Sequence, residues 1–167
     1  GFSAPSVGPL ARTGTPSHWY ADDSAAVGCG WTSPQPYSRH DVAVIDMAPG
    51  ISAARLEAML TPRPEAVLLR AYGVGNVPSD EPGLIADVLH DGVPVVIASQ
   101  CQQAEVLLGH YETGDAIARA GAIGSGDMTL EATYAKIMFL LSQGVTGADF
   151  GKWMHTSIAG EISPSSL

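Results

Sequence analysis

Residues 66–76 read Ala66-Val67-Leu68-Leu69-Arg70-Ala71-Tyr72-Gly73-Val74-Gly75-Asn76. Up to Leu69 the run is continuously apolar instead of alternating, which marks a strand covered on both faces and hence a parallel sheet. The Gly-rich tail stops it. Similar short runs flank it: Val42–Ile45, closed by Asp46, then Pro94–Ala98 and the brief Ala122-Ile123. Helical patterns separate them. Ser52 is placed to cap a helix over Ala53–Leu60, and Leu84, Ile85, Val88 and Leu89 carry helical spacing up to Asp91-Gly92. A further helix is expected around Asp115–Ala120. Leu130, Tyr134, Ile137/Met138 and Leu141 define a long amphipathic helix from about Thr129 to Gln143. Asp127 stands where an N-cap for it would stand, with Glu131 complementing the helix N-terminus. Thr146 and Asp149 have capping-box spacing for a last helix through His155.

Strands alternating with helices predict an α/β fold: a three-layer parallel sheet of about four strands flanked by helices, Rossmann-like or flavodoxin-like. Residues 1–40 read differently, with Pro5, Pro9, Pro16, Pro34 and Pro36, many Gly and Ser, and no lasting period. They are expected to form an irregular extended arm or linker, leaving residues 41–167 as the α/β domain. The arm's aromatics (Phe2, Trp19, Tyr20, Trp31, Tyr37) need something to lie against.

The chain has 167 residues, enough for one domain and for a core that needs no disulfide or metal. Eight basic against 17 acidic residues give a net charge of −9. No Lys/Arg cluster offsets it, so nucleic acid and anionic membrane surfaces are disfavoured partners. No apolar run approaches the ~20 residues of a bilayer crossing. No signal-type segment opens the chain, and the two cysteines, Cys29 and Cys101, fit a reducing, cytoplasmic setting. The five histidines are scattered without metal-ligand spacing, so neither a metal nor another cofactor is expected.

In parallel sheets ligands collect outside the carboxyl ends of the strands. The segments there are 46–50, 70–76, 99–103 and 124–129. Gly73-Val74-Gly75-Asn76 is not a dinucleotide fingerprint, because Pro78 stands where the third glycine would be. Arg70 emerges at the edge with a planar five-donor fork, suited to a ligand carboxylate or to an ion pair with a nearby acid. Ser99-Gln100-Cys101 brings a hydroxyl, an amide and a thiol to the matching end of the next strand. Cys101 is read either as a nucleophile needing a basic neighbour such as His110 or, preferably, as a buried inert thiol.

Several of these pieces closely resemble, in one order, the carboxyl-terminal domain of bacterial type I L-asparaginases. They are Arg70-Ala71-Tyr72-Gly73-Val74-Gly75-Asn76, Ser99-Gln100-Cys101 and Gly126-Asp127-Met128-Thr129-Leu130-Glu131-Ala132-Thr133, followed by Lys136 and Leu140-Leu141-Ser142. Tyr111-Glu112-Thr113-Gly114 and Glu161-Ile162-Ser163-Pro164 continue the likeness, which covers nearly the whole chain. The Gln-Cys turn separates it from type II enzymes. The family reaction is hydrolysis of L-asparagine to L-aspartate and ammonia. The resemblance implies that Arg70, Ser99, Gln100 and Cys101 hold substrate or a regulatory asparagine. Ser99 stands for the usual Thr and keeps the hydroxyl. Asn76 and Tyr111 would belong to loops facing a neighbour's active site.

The same resemblance implies a gap. The family's catalytic Thr-Gly-Gly-Thr and Thr-Asp-Lys groups occur nowhere in these 167 residues. The expectation is therefore an asparagine-binding and assembly domain with little or no activity alone. Its partners would be L-asparagine or a similar amino acid and either copies of itself, as a dimer or tetramer, or an asparaginase amino-terminal domain. Two rivals stand beside it. One is a self-sufficient short-chain asparaginase using Thr13, Thr15, Ser99 or Tyr111; the other is a non-catalytic amino-acid-binding module.

Overall fold

The computed structural model describes residues 11–19, 28–72, 82–101, 106 and 117–163. Among the described residues a hairpin comes first, β1 (Ala11–Arg12) and β2 (His18–Trp19), paired antiparallel. The main sheet follows: β3 (Val42–Asp46), β4 (Ala66–Ala71), β5 (Val95–Ser99) and β6 (Ile123–Gly124). All its pairings are parallel, and the strands lie in sequence order. The helices given ranges among the described residues are α1 (Ala53–Met59), α2 (Pro82–His90), α3 (Leu130–Ser142) and α4 (Gly147–Met154), with residues 117–119 helical as well.

The expected four-stranded parallel sheet, sheathed by helices, is what the chain builds. Val67, Leu68 and Leu69 are all fully buried because β4 lies between two strands and two helical layers. Right-handed crossovers that keep stepping in one direction deliver their helices to one face. Accordingly Leu56 and Leu60 of the α1 region and Ile85 and Val88 of α2 pack with Ile45, Val67, Leu69, Val95 and Ile97. After β6 the chain doubles back. Ile137 and Leu140 of α3 and Phe150 and Met154 of α4 cover the other face, against Leu68, Val96 and Ala98.

The caps show where local reasoning succeeded and where it did not. Ser52 Oγ accepts the Arg55 N–H at 3.3 Å, as its position ahead of α1 suggested. Asp127 is not the cap of α3. Thr129 is, its Oγ1 accepting the Ala132 N–H at 3.1 Å. Asp127 Oδ1 instead accepts the Ser163 N–H at 3.0 Å, a contact from a segment 36 residues away. Thr146 has N-cap backbone geometry but makes no side-chain cap hydrogen bond, so the capping box at α4 is not formed. The helix expected over Asp115–Ala120 lies partly outside the described residues.

Residues 28–40 have no regular structure but are fastened along α3 and its surroundings. Cys29 and Gly30 donate their N–H groups to Ser157 O and Ile158 O at 2.8 and 3.0 Å. A Cβ on Gly28 would fall into the backbone of Ile158 and Ala159, so the approach requires glycine. Trp31 wedges against Phe139 and Trp153, with ring centroids 5.2 and 4.4 Å away. Gln143 of α3's C-cap reads the Gln35 backbone in both directions, at 2.6 and 3.2 Å. His40 bridges Ser38 Oγ and Glu65, at 2.8 and 2.9 Å. Trp31 thus finds the cover that the arm's aromatics called for, whereas Trp19 and Tyr37 stay exposed.

Candidate functional site at the strand ends

Parallel register brings the ends of β3, β4 and β5 level: Asp46 pairs with Arg70, Arg70 with Ala98, and Ala71 with Ser99. Registered neighbours point to the same face, so Asp46, Arg70 and Ala98 form one row. The guanidinium Nη1 of Arg70 meets Asp46 Oδ1 at 2.7 Å. Both alternatives for Arg70 therefore stay in play, because the ion pair occupies only one end of the fork. Its Nε is buried and has no hydrogen-bond partner among the described residues. An orphaned donor on a charged group is costly, about 1–3 kcal/mol or more.

Gln100 does a different job from the one its chemistry suggested. Its side-chain amide nitrogen donates to Met47 O at 2.6 Å and Arg70 O at 2.7 Å. Both N–H bonds of that group are thereby used. Its backbone N–H binds Ala71 O at 2.9 Å. With Met47 N–H donating to Arg70 O at 3.0 Å, these contacts lash the tips of β3, β4 and β5 into one platform. Ser99 Oγ accepts the Cys101 N–H at 3.0 Å, closing the turn that follows β5. Cys101 is exposed, which corrects the buried-thiol reading; it sits beyond the strand on the outside of that turn. Asn76 and Tyr111 lie outside the described residues.

Sequence reasoning passes over two groups here. Asp46 reads from sequence as the residue that closes a strand and opens the 46–50 strand-end segment, with no role of its own, although counting back along parallel strands puts it level with Arg70. The Tyr72 hydroxyl is buried without a partner while its ring packs with the α1/α2-side core. No sequence signal distinguishes it from an ordinary core tyrosine. Away from the strand ends, two grooves of about 310 and 270 Å³ flank the outer face of α3. Phe139 and Ala135 form the ridge between them. One groove ends at the Lys136–Glu161 ion pair, 2.6 Å long. Among the described residues no group of three or more His, Cys, Asp or Glu could hold a metal. None of the described helices is long and apolar enough to cross a membrane.

The glutaminase/asparaginase C-terminal domain profile matches residues 41–154. The chain belongs to that family. Over 165 residues it is 35% identical to L-asparaginase 1 of Escherichia coli (strain K12), covering 98% of this chain and 49% of that protein. It is 33% identical over 123 residues to the D-type subunit of the glutamyl-tRNA(Gln) amidotransferase of Pyrococcus furiosus, covering 74% of this chain and 28% of that one. The crystal structure of L-asparaginase I from Vibrio cholerae O1 biovar eltor superposes with a TM-score of 0.84 at 32% identity, over 98% of this chain and 50% of that one. The thermostable L-asparaginase from Thermococcus kodakarensis gives 0.76 at 28% identity, over 92% and 47%. The chain thus spans about half the length of the asparaginases it matches, and less of the amidotransferase. The resemblance drawn from the strand-end and helix motifs is the family found.

Proposed function

We propose that this asparaginase C-terminal domain binds L-asparagine or a similar small amino acid at the strand ends. We further propose that it contributes binding and assembly, not the nucleophile, to an asparaginase-type amidohydrolase. The observation that carries the reading is Arg70: one end of its guanidinium is anchored by Asp46, and Nε is buried and unpaired. The Arg70 side chain keeps 31% exposure, so the part of the fork beyond the Asp46 contact suits an α-carboxylate. Ser99 and Cys101, on the turn after β5, are the next polar groups along the edge, and Gln100 holds the platform rigid beneath them. Asn76 and Tyr111 would face a neighbour's active site.

Amide hydrolysis needs an activated nucleophile and a stabilised oxyanion. The 167 residues contain neither a Thr-Gly-Gly-Thr nor a Thr-Asp-Lys group to supply them. Hydrolysis of asparagine to aspartate and ammonia would then depend on residues brought by an asparaginase amino-terminal domain. Assembly is read as homo-oligomeric, dimer or tetramer. The exposed Tyr37 and Tyr134 beside the α3 grooves support it, because large apolar patches are uncommon on monomers. A cytoplasmic location accords with two exposed, unpaired thiols.

Calorimetry with L-asparagine tests the site. Arg70→Ala is expected to weaken binding at least tenfold, and Arg70→Lys to recover little, since a point charge cannot replace a planar fork. Equal affinity in all three proteins would make Arg70 a structural ion-pair partner and nothing more. An ammonia-release assay on the chain alone is expected to show little or no turnover; turnover at about 1–10³ s⁻¹ that co-purifies with the chain would overturn the division of labour.

A further inference from the structure

We propose that Asp46 reads the α-ammonium of the amino acid held by Arg70, so that the site selects zwitterions over plain carboxylates. The inference rests on the ligand-site reading above and names what that site discriminates.

Asp46 and Arg70 are paired residues on neighbouring parallel strands, so their side chains leave the same face of the sheet side by side. Their contact joins Oδ1 to Nη1 at 2.7 Å. A carboxylate has about four lone-pair sites, so this contact leaves Asp46 with acceptor capacity to spare. On the guanidinium, the buried Nε remains unpaired. The two charges therefore stand next to each other with unused hydrogen-bonding capacity on each. An α-amino acid presents the mirror arrangement, a carboxylate and an ammonium on one carbon.

The surroundings favour a small ligand there. Val44 lies two residues before Asp46 on the same face of β3, an edge strand of the sheet, and is 46% exposed. That leaves an uncovered apolar strip directly below the charge pair. On the other side of Arg70 the registered residue is Ala98, whose methyl group takes little room. The carboxylate itself is 63% exposed and open to an incoming group. Among the described residues of the strand-end segments the only other acid is Asp127, and its Oδ1 is occupied by the Ser163 N–H at 3.0 Å. An ammonium arriving beside Arg70 has Asp46 as its charged acceptor.

The opposite possibility is that Asp46 is a placeholder, a counter-ion that a ligand carboxylate must displace. The two ideas predict opposite signs for one substitution. Calorimetry on the 167-residue chain, with L-asparagine and with succinamate (asparagine without its amino group), reads the difference. The wild type is expected to prefer asparagine at least tenfold. Asp46→Asn is expected to reduce that preference to about threefold or less by weakening asparagine alone. Arg70→Gln is expected to weaken both ligands. Thermal melting within experimental error of wild type would establish that the exposed Asp46 position tolerates asparagine in the fold. Equal wild-type affinity for the two ligands, or unchanged or tighter asparagine binding by Asp46→Asn, overturns the assignment of Asp46 and leaves the Arg70 site standing. No heat from either ligand with the wild type overturns both.

Discussion

Removing the carboxylate of Glu161 is expected to destabilise the α3 side of the molecule well beyond an ordinary surface substitution. Lys136 leaves the middle of α3 with its side chain only 3% exposed. Its ammonium donates to Glu161 Oε1 at 2.6 Å and to Thr156 O at 2.7 Å. Glu161 also accepts the Ile158 N–H, at 3.0 and 3.1 Å, and the Ala159 N–H at 2.7 Å. One carboxylate thus closes the 158–161 turn and pins it to the helix. Glu161→Ala leaves the ammonium with one acceptor and strands two N–H groups. Truncating one member of a buried pair costs about 3–5 kcal/mol. The side chain of Glu161 keeps 16% exposure, so some water can enter, and the lower end, about 3 kcal/mol, is expected.

Lys136→Met should cost less, about 1.5–3 kcal/mol, because the carboxylate keeps its backbone donors. The double variant Lys136→Met/Glu161→Ala should lose clearly less than the two single losses combined, which isolates the pair from the packing. Urea unfolding followed by fluorescence of Trp31 and Trp153 measures this; at an m-value of about 2 kcal/mol/M, the Glu161→Ala loss moves the midpoint by about 1.5 M. The pH dependence has a definite sign. Burial pushes the Glu161 carboxyl up, but the Lys136 ammonium and the N–H groups of Ala159 and Ile158 outweigh it and hold it below the ordinary 4.5. Stability from such a group is complete above its unfolded value and is lost as pH falls through its folded value. Lys136 is lowered, burial outweighing its contact with Glu161. The burial cost of its charge is therefore felt in full below its folded value and eases as pH rises toward the unfolded 10.5. The gap between wild type and Glu161→Ala should hold through neutral pH and narrow in acid. A loss under about 0.5 kcal/mol, or a gap that is the same at neutral pH and well below the carboxylate range, would refute the reasoning.

Three other outcomes are expected. Gly28→Ala should cost about 1–3 kcal/mol in the same unfolding assay, since its Cβ meets the backbone of Ile158 and Ala159, which cannot swing aside; an unchanged midpoint would mean the arm is not docked there. Leu68→Ala, fully buried in the central strand, should cost about 2–5 kcal/mol, whereas Val44→Ala on the uncovered edge strand should stay within about 0.5 kcal/mol, and equal losses would contradict the one-sided cover of β3. A chromogenic disulfide reagent should titrate both exposed thiols, Cys29 and Cys101, in the native chain; either one reacting only after denaturation would contradict its exposure.

The sheet was legible because its signal is local and one-dimensional. Val67-Leu68-Leu69 has no polar position to put toward water, so a strand there must be covered on both sides, and the structure buries all three completely. Helix starts were legible where a short side chain reaches its own first turn, as Ser52 does, and misread where the candidate had a better partner elsewhere. Asp127 lost the cap to Thr129 because the Ser163 N–H, far away in sequence, arrives at its carboxylate. Lys136–Glu161 was illegible for the same reason: nothing within a turn of either residue announces a partner 25 positions away.

At the strand ends the residue types were readable and their loyalties were not. Arg70, Ser99, Gln100 and Cys101 do reach one edge, since strand lengths alone bring them level. Which donor goes to a ligand and which to the scaffold depends on carbonyls supplied by other strands. Gln100 commits its amide to Met47 O and Arg70 O, one from β3's end and one from β4. Gln100 thus spends its amide nitrogen on bracing the platform, and under the function proposed above the reading of substrate would fall to the groups left unsatisfied. Those are the buried Nε of Arg70 and, in register beside it, the remaining acceptor capacity of Asp46. Unused hydrogen-bonding capacity, more than residue type, is what the proposed site rests on. It follows that substitutions at Gln100 should disturb stability before they disturb ligand preference, while substitutions at Asp46 should do the reverse. If Gln100→Ala changed the asparagine-to-succinamate preference without lowering the unfolding midpoint, that ordering would be wrong.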